Sequence, residues 1–145
     1  MKDEDYMAIA IAEARRAMVE GEIPIGAVVV SADGHIVAKA HNMTEALTDV
    51  TAHAEMLALT AAQSKLGKYL TGATLYVTVE PCTMCAGAIG WARPGRLVYG
   101  ASEPRIGYTR MVAKSPLHVS TRVEGGVCGD ECAALMQEFF RQRRK

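Results

Sequence analysis

The chain has 145 residues, half of them hydrophobic and 22% charged, with no net charge, and reads as one compact domain over residues 1–145. That balance excludes a disordered chain and lacks the basic surplus of a protein that coats nucleic acid. The sequence shows no apolar run of membrane-spanning length and no basic-then-apolar leader, so a cytoplasmic location is expected.

In chain order, Met7, Ile11, Ala14 and Met18 recur at helical spacing and predict a helix over Asp3–Glu20, stopped by Gly21. Beyond Pro24, the β-branched run Gly26–Val30 reads as a strand, Asp33-Gly34 as a hairpin turn and Ile36–Asn42 as the returning strand. Thr51 is placed to cap a helix over Ala52–Ser64, and Thr74–Val79 alternates like a strand up to Glu80-Pro81. A short helix fits Thr83–Ala92, a strand Arg96–Gly100, an irregular loop Ser102–Pro116, a last strand Val119–Glu124 and a final amphipathic helix Gly129–Arg144. Alternation of this kind favours an α/β sandwich with a mixed sheet.

Two segments carry chemistry: Thr51-Ala-His53-Ala-Glu55 and Val79-Glu-Pro81-Cys82-Thr-Met-Cys85, each at an expected helix start. Cys82 and Cys85 are three apart, so one turn puts both sulfurs on one side, and a helix N-terminus favours the thiolate that binds metal. With an imidazole nitrogen from His53, the donor set suits Zn²⁺. Three protein ligands leave one position for water, as catalytic zinc sites do. Glu55, offset from His53 by two residues, is placed to move protons. This His-x-Glu then Pro-Cys-x-x-Cys pattern is that of zinc deaminases acting on nucleobases. Cys128 and Cys132 read as structural, and His35 and His41 as non-ligands.

The resemblance extends further. Glu22-Ile-Pro-Ile-Gly-Ala-Val-Val-Val30, Ala52-His-Ala-Glu-Met56, Thr74–Ala88 and Glu138-Phe-Phe-Arg141 resemble bacterial tRNA-specific adenosine deaminases, along nearly the whole chain. The resemblance implies a three-layer α/β/α cytidine-deaminase-like fold around a mixed five-stranded sheet, one zinc per subunit, a homodimer, and conversion of adenosine to inosine at the wobble position of a tRNA anticodon. It assigns His53, Cys82 and Cys85 to the metal, Glu55 to proton transfer and Asn42 to the target base. Ile25, Ala54 and Pro81 would line the pocket. Phe139, Phe140, Arg141, Arg143 and Arg144 resemble the family's tRNA-contacting helix. The residues alone leave other roles open: turn chemistry for Asn42, core packing for Ile25 and the phenylalanines, solvent for the arginines. For the dimer, the apolar stretch Ala86–Trp91 is a candidate face.

Between Ser102 and Val123 the chain departs from the family. In place of Asp-Pro-Lys-x-Gly, a longer stretch and an Asn-His pair it has Glu103-Pro-Arg-Ile-Gly107, Tyr108-Thr-Arg110 and Leu117-His118-Val119. This loop bears on substrate choice, and Tyr108 and Arg110 are expected to stack on and pair with a base. A deaminase of a free nucleobase or nucleoside, of guanine or cytosine type, is therefore the alternative.

Overall fold

A computed structural model describes residues 1–143. Helix α1 (Asp3–Val19) leads into a hairpin of β1 (Gly26–Val30) and β2 (Ile36–His41). There follow α2 (Ala54–Leu66), β3 (Thr74–Val79), α3 (Thr83–Ala92), β4 (Arg96–Ala101), the one-turn α4 (Tyr108–Met111), β5 (Arg122–Glu124) and α5 (Gly129–Arg143). Gly21 ends the first helical segment with φ 81°, a conformation that favours glycine.

The five strands form one sheet in the order β2-β1-β3-β4-β5. β1 is antiparallel to β2 and β3, whereas β3, β4 and β5 run parallel. All five residues of β1 are buried because helices cover both faces. Ala27 and Val29 pack with Ala58, Leu59 and Ile89 on one side, while Val28 and Val30 pack with Met7, Ile11 and Cys132 on the other. The strand period of two thus sorts one apolar run into two cores, giving the three layers expected. Each fully buried Val, Leu or Ile in them contributes about 1.5–3 kcal/mol.

Three local expectations need correction. Thr51 does not cap α2: its hydroxyl and N–H both donate to Asp49 Oδ1, and the helix starts two residues later. The last strand keeps only Arg122–Glu124, because Val119 is 98% exposed and the chain turns there, with Thr121 N–H donating to His118 C=O. The Ser102–Pro116 loop contains α4, whose Tyr108 is buried.

Register decides where the site lies. Gly26 pairs with His41 and Ala27 with Val77, so the carboxyl ends of β2 and β3 share one edge of the sheet. Parallel pairing of Val79 with Ala101 brings the end of β4 there too. Helices α2 and α3 begin at that edge, where open α/β sheets place ligands.

Candidate active site

The side chains at these two helix starts meet. His53 immediately precedes α2 and Cys82 immediately precedes α3, both in extended backbone (φ −75° and −73°), and Cys85 lies in the first turn of α3. His53 Nδ1 is 3.4 Å from Cys85 Sγ and 3.7 Å from Cys82 Sγ. Tetrahedral zinc, with bonds of about 2.3 Å to sulfur and about 2.0 Å to nitrogen, needs a nitrogen–sulfur separation of about 3.5 Å. The two observed separations bracket it, so one nitrogen and two sulfurs fit Zn²⁺. Among the described residues no fourth His, Cys, Asp or Glu joins the group.

Glu55 sits in the first turn of α2, 3% exposed, with Oε1 buried and without a hydrogen-bond partner among the described residues. Such an orphaned oxygen costs roughly 1–3 kcal/mol, a burden that points to function. Burial pushes the Glu55 carboxyl up to about 7, against the backbone amide that favours its charged form. A hydrogen bond from Cys85, reinforced by His53, pulls the Cys82 thiol down to about 4 despite partial burial. The same hydrogen bond, which Cys85 donates to Cys82, together with burial pushes the Cys85 thiol up. The bond to Cys82 raises His53. Thiolate character is therefore concentrated on Cys82, one of the three donors that would hold a cation.

The expected pocket residues are brought together by backbone contacts. Asn42, 3% exposed, accepts a 2.7 Å hydrogen bond at Oδ1 from Ala54 N–H, and its own N–H donates to Ile25 C=O at 3.1 Å. Asn42 thus caps α2 from across the fold, the task expected of Thr51. The Ile25 side chain packs against the core, half-buried. Pro81 C=O accepts Tyr108 N–H at 2.9 Å. Tyr108 itself is 5% exposed and packs in the core, whereas Arg110 is exposed.

The described C-terminal residues are not part of the metal group. Phe139 is buried and meets half-buried Phe140 edge-on at 5.2 Å. Arg141 pairs with Glu138 at 2.6 Å, and Arg143 donates to Gly21 C=O at 2.6 Å while lying over the Phe139 ring. Arg144 lies outside the described residues. A cavity of about 710 Å³ separates α5 from the Ser102–Arg105 segment, with Val79 and Ala101 among its lining residues.

Sequence reasoning missed three buried carboxylates, Glu13, Glu22 and Glu80. Glu22 accepts bonds from Glu45 N–H (3.1 Å), Ala46 N–H (2.8 Å) and the Thr44 hydroxyl (3.3 Å), holding the loop that leads to His53. Glu80 does the same for the loop after β4. For Glu22 and Glu80 the available signal was a charge set at the edge of an apolar strand, which is stable when buried only if hydrogen-bonded. His41, buried between Glu13 (3.1 Å) and Glu20 (3.0 Å), is outside the metal group.

Residues 1–101 match the cytidine and deoxycytidylate deaminase zinc-binding region, which sets fold and site in the class of zinc-binding deaminases. The chain is 44% identical to the tRNA-specific adenosine deaminase of Bacillus subtilis (strain 168), over 99% of this chain and 92% of that protein. A solved tRNA deaminase, studied for A-to-I editing at the wobble position of transfer RNA, matches with TM-score 0.83 at 44% identity, covering 90% of this chain and 98% of that one. A guanine deaminase structure from Bacillus subtilis matches at 34% identity and TM-score 0.68, over 82% of each chain. The chain belongs to the tRNA-specific adenosine deaminases, within the cytidine and deoxycytidylate deaminase family.

Proposed function

We propose that this protein hydrolyses the exocyclic amine of adenosine at the wobble position of a tRNA anticodon, giving inosine and ammonia. The observation that carries the reaction is the Glu55 oxygen, without a partner among the described residues, beside a three-donor group that fits zinc. His53, Cys82 and Cys85 would hold one Zn²⁺ per subunit. When bound, Zn²⁺ supplies acidified water as a nucleophile at neutral pH. Glu55 would move two protons, the first from the attacking water to the ring nitrogen beside the amine-bearing carbon and the second from the newly added hydroxyl to the amine, so that the carbon–nitrogen bond breaks, a carbonyl forms and ammonia leaves. A carboxyl held near neutrality suits both directions of transfer.

Asn42 has its Oδ1 committed to Ala54, so its amide nitrogen is the end that donates to the base. Ile25, Ala54 and Pro81 frame the pocket around that donor. The target carbon is hidden in a stacked helix, so the base must be splayed out, as an anticodon loop allows. Phe140, Arg141, Arg143 and Arg144 would meet the RNA, with Phe139 buried as their support. A homodimer through α3 is supported by Trp91 at 77% and Val119 at 98% exposure around one groove. A cytoplasmic location fits the substrate, and no helix of the described residues is long and apolar enough to cross a membrane.

Incubation of zinc-loaded protein with an anticodon stem-loop, followed by nucleoside mass spectrometry, tests the reading. Inosine is expected. Its absence, with ammonia released from free guanine or cytosine instead, would transfer the assignment to small substrates.

A further inference from the structure

Glu80 follows β3 and lies two residues before Cys82, yet its carboxylate is outside the metal group. It is 4% exposed and turned toward the loop after β4. Oε1 accepts Glu103 N–H at 3.1 Å, and Oε2 accepts Thr109 N–H at 3.0 Å and the Thr109 hydroxyl at 2.6 Å. Both ends of the Glu103–Thr109 segment are thus tied to one side chain. Gly107 closes over it: a Cβ there would collide with the carboxylate. The same glycine forms an isolated antiparallel bridge with Cys82. Between the tied ends, Pro104, Arg105 and Ile106 are exposed, and Arg105 borders the cavity beneath α5.

The chemistry explains why a carboxylate is used. Three donors converge on two oxygens, which a buried carboxylate accepts in full. Glutamine would offer one oxygen and aim its own N–H groups at the donors. A loop pinned at both ends presents its exposed tip in one shape, and Pro104 and Arg105 of that tip share a cavity with Val79 and Ala101 at the carboxyl ends of β3 and β4.

We propose that Glu80 is a positioning residue, which sets the shape of the Glu103–Thr109 loop against Cys82 and so governs how firmly RNA is held rather than how fast it reacts. The inference rests on the RNA reading above. Stem-loop deamination is measured for the wild type, Glu80→Gln and Thr109→Val, with zinc content and thermal midpoint for each. Thr109 is exposed, so Thr109→Val keeps the fold while removing one of the three bonds. For Glu80→Gln, KM should rise about tenfold or more, kcat should stay within about threefold, and zinc content should be unchanged. Thr109→Val should raise KM in the same direction by a smaller factor. A fall in kcat at constant KM, loss of zinc, or a lowered midpoint with both constants intact would overturn the proposal. If Glu80→Gln does not fold, an unchanged KM in Thr109→Val overturns it alone. Wild-type protein that makes no inosine would instead refute the RNA reading.

Discussion

The helix starts at His53 and Cys82 and the far end of α5 hold the chain's two groups of motif residues, and they use polar groups in opposite ways. At the helix starts the polar groups converge on one point: His53 Nδ1 meets both cysteine sulfurs, and Glu55 Oε1 has no partner among the described residues. On α5 the charges are spent internally, Arg141 on Glu138 and Arg143 on Gly21, with Phe139 packed below. A motif residue with an idle, buried polar atom signals chemistry. One already paired signals architecture, which RNA must compete with to use.

The largest expected effect tests the first half of that contrast. Glu55→Ala should lower turnover on the stem-loop by about 10²–10⁴-fold while zinc content, read by plasma mass spectrometry, stays at one per subunit. Loss of zinc with turnover would make Glu55 part of the metal's support. Next comes Asn42, which belongs to both halves. Asn42→Ala should lose activity and also about 0.5–2 kcal/mol of stability, because Ala54 N–H loses its cap. Asn42→Asp keeps an accepting oxygen and should recover the stability but not the activity, as measured by urea unfolding beside kinetics.

Two smaller effects sharpen the contrast on α5 and at the opposite edge of the sheet. Arg143→Ala should cost about 1 kcal/mol through the lost bond to Gly21, whereas Arg141→Ala should leave the urea midpoint unmoved. Equal midpoints for both would deny Arg143 its structural task. The smallest effect concerns Asp3, whose carboxyl is held below its usual value chiefly by a hydrogen bond from Arg96. A depressed folded value adds stability above the unfolded value of about 3.9 and loses it as pH falls through the folded value. The stability gap between wild type and Asp3→Asn should therefore be full at pH 7 and close below about pH 4. A gap independent of pH would remove the ion pair from the explanation.

Physical range explains what was readable in the sequence. The metal group is set by spacing within single turns, three residues from Cys82 to Cys85, so it was legible. β1 was legible because an unbroken apolar run fits a strand covered on both faces, but its antiparallel pairing with β3 depends on chain reversal elsewhere. The cap on α2 was not legible: Asn42 acts from twelve residues away, while Thr51 looked like the better local cap. The burial of Tyr108 was not legible, because an aromatic residue in a polar loop gives no sign of which way its backbone turns it. Glu22 and Glu80 escaped notice for the same reason, since their partners lie 22 to 29 residues along the chain.

X-ray absorption at the zinc edge on loaded protein addresses the arrangement of His53, Cys82, Cys85 and Glu55 most directly. One nitrogen and two sulfurs from the protein, plus a single light atom displaced by a small zinc-binding anion, is the expected shell. A fourth protein ligand that the anion cannot displace would contradict an open, reactive metal position.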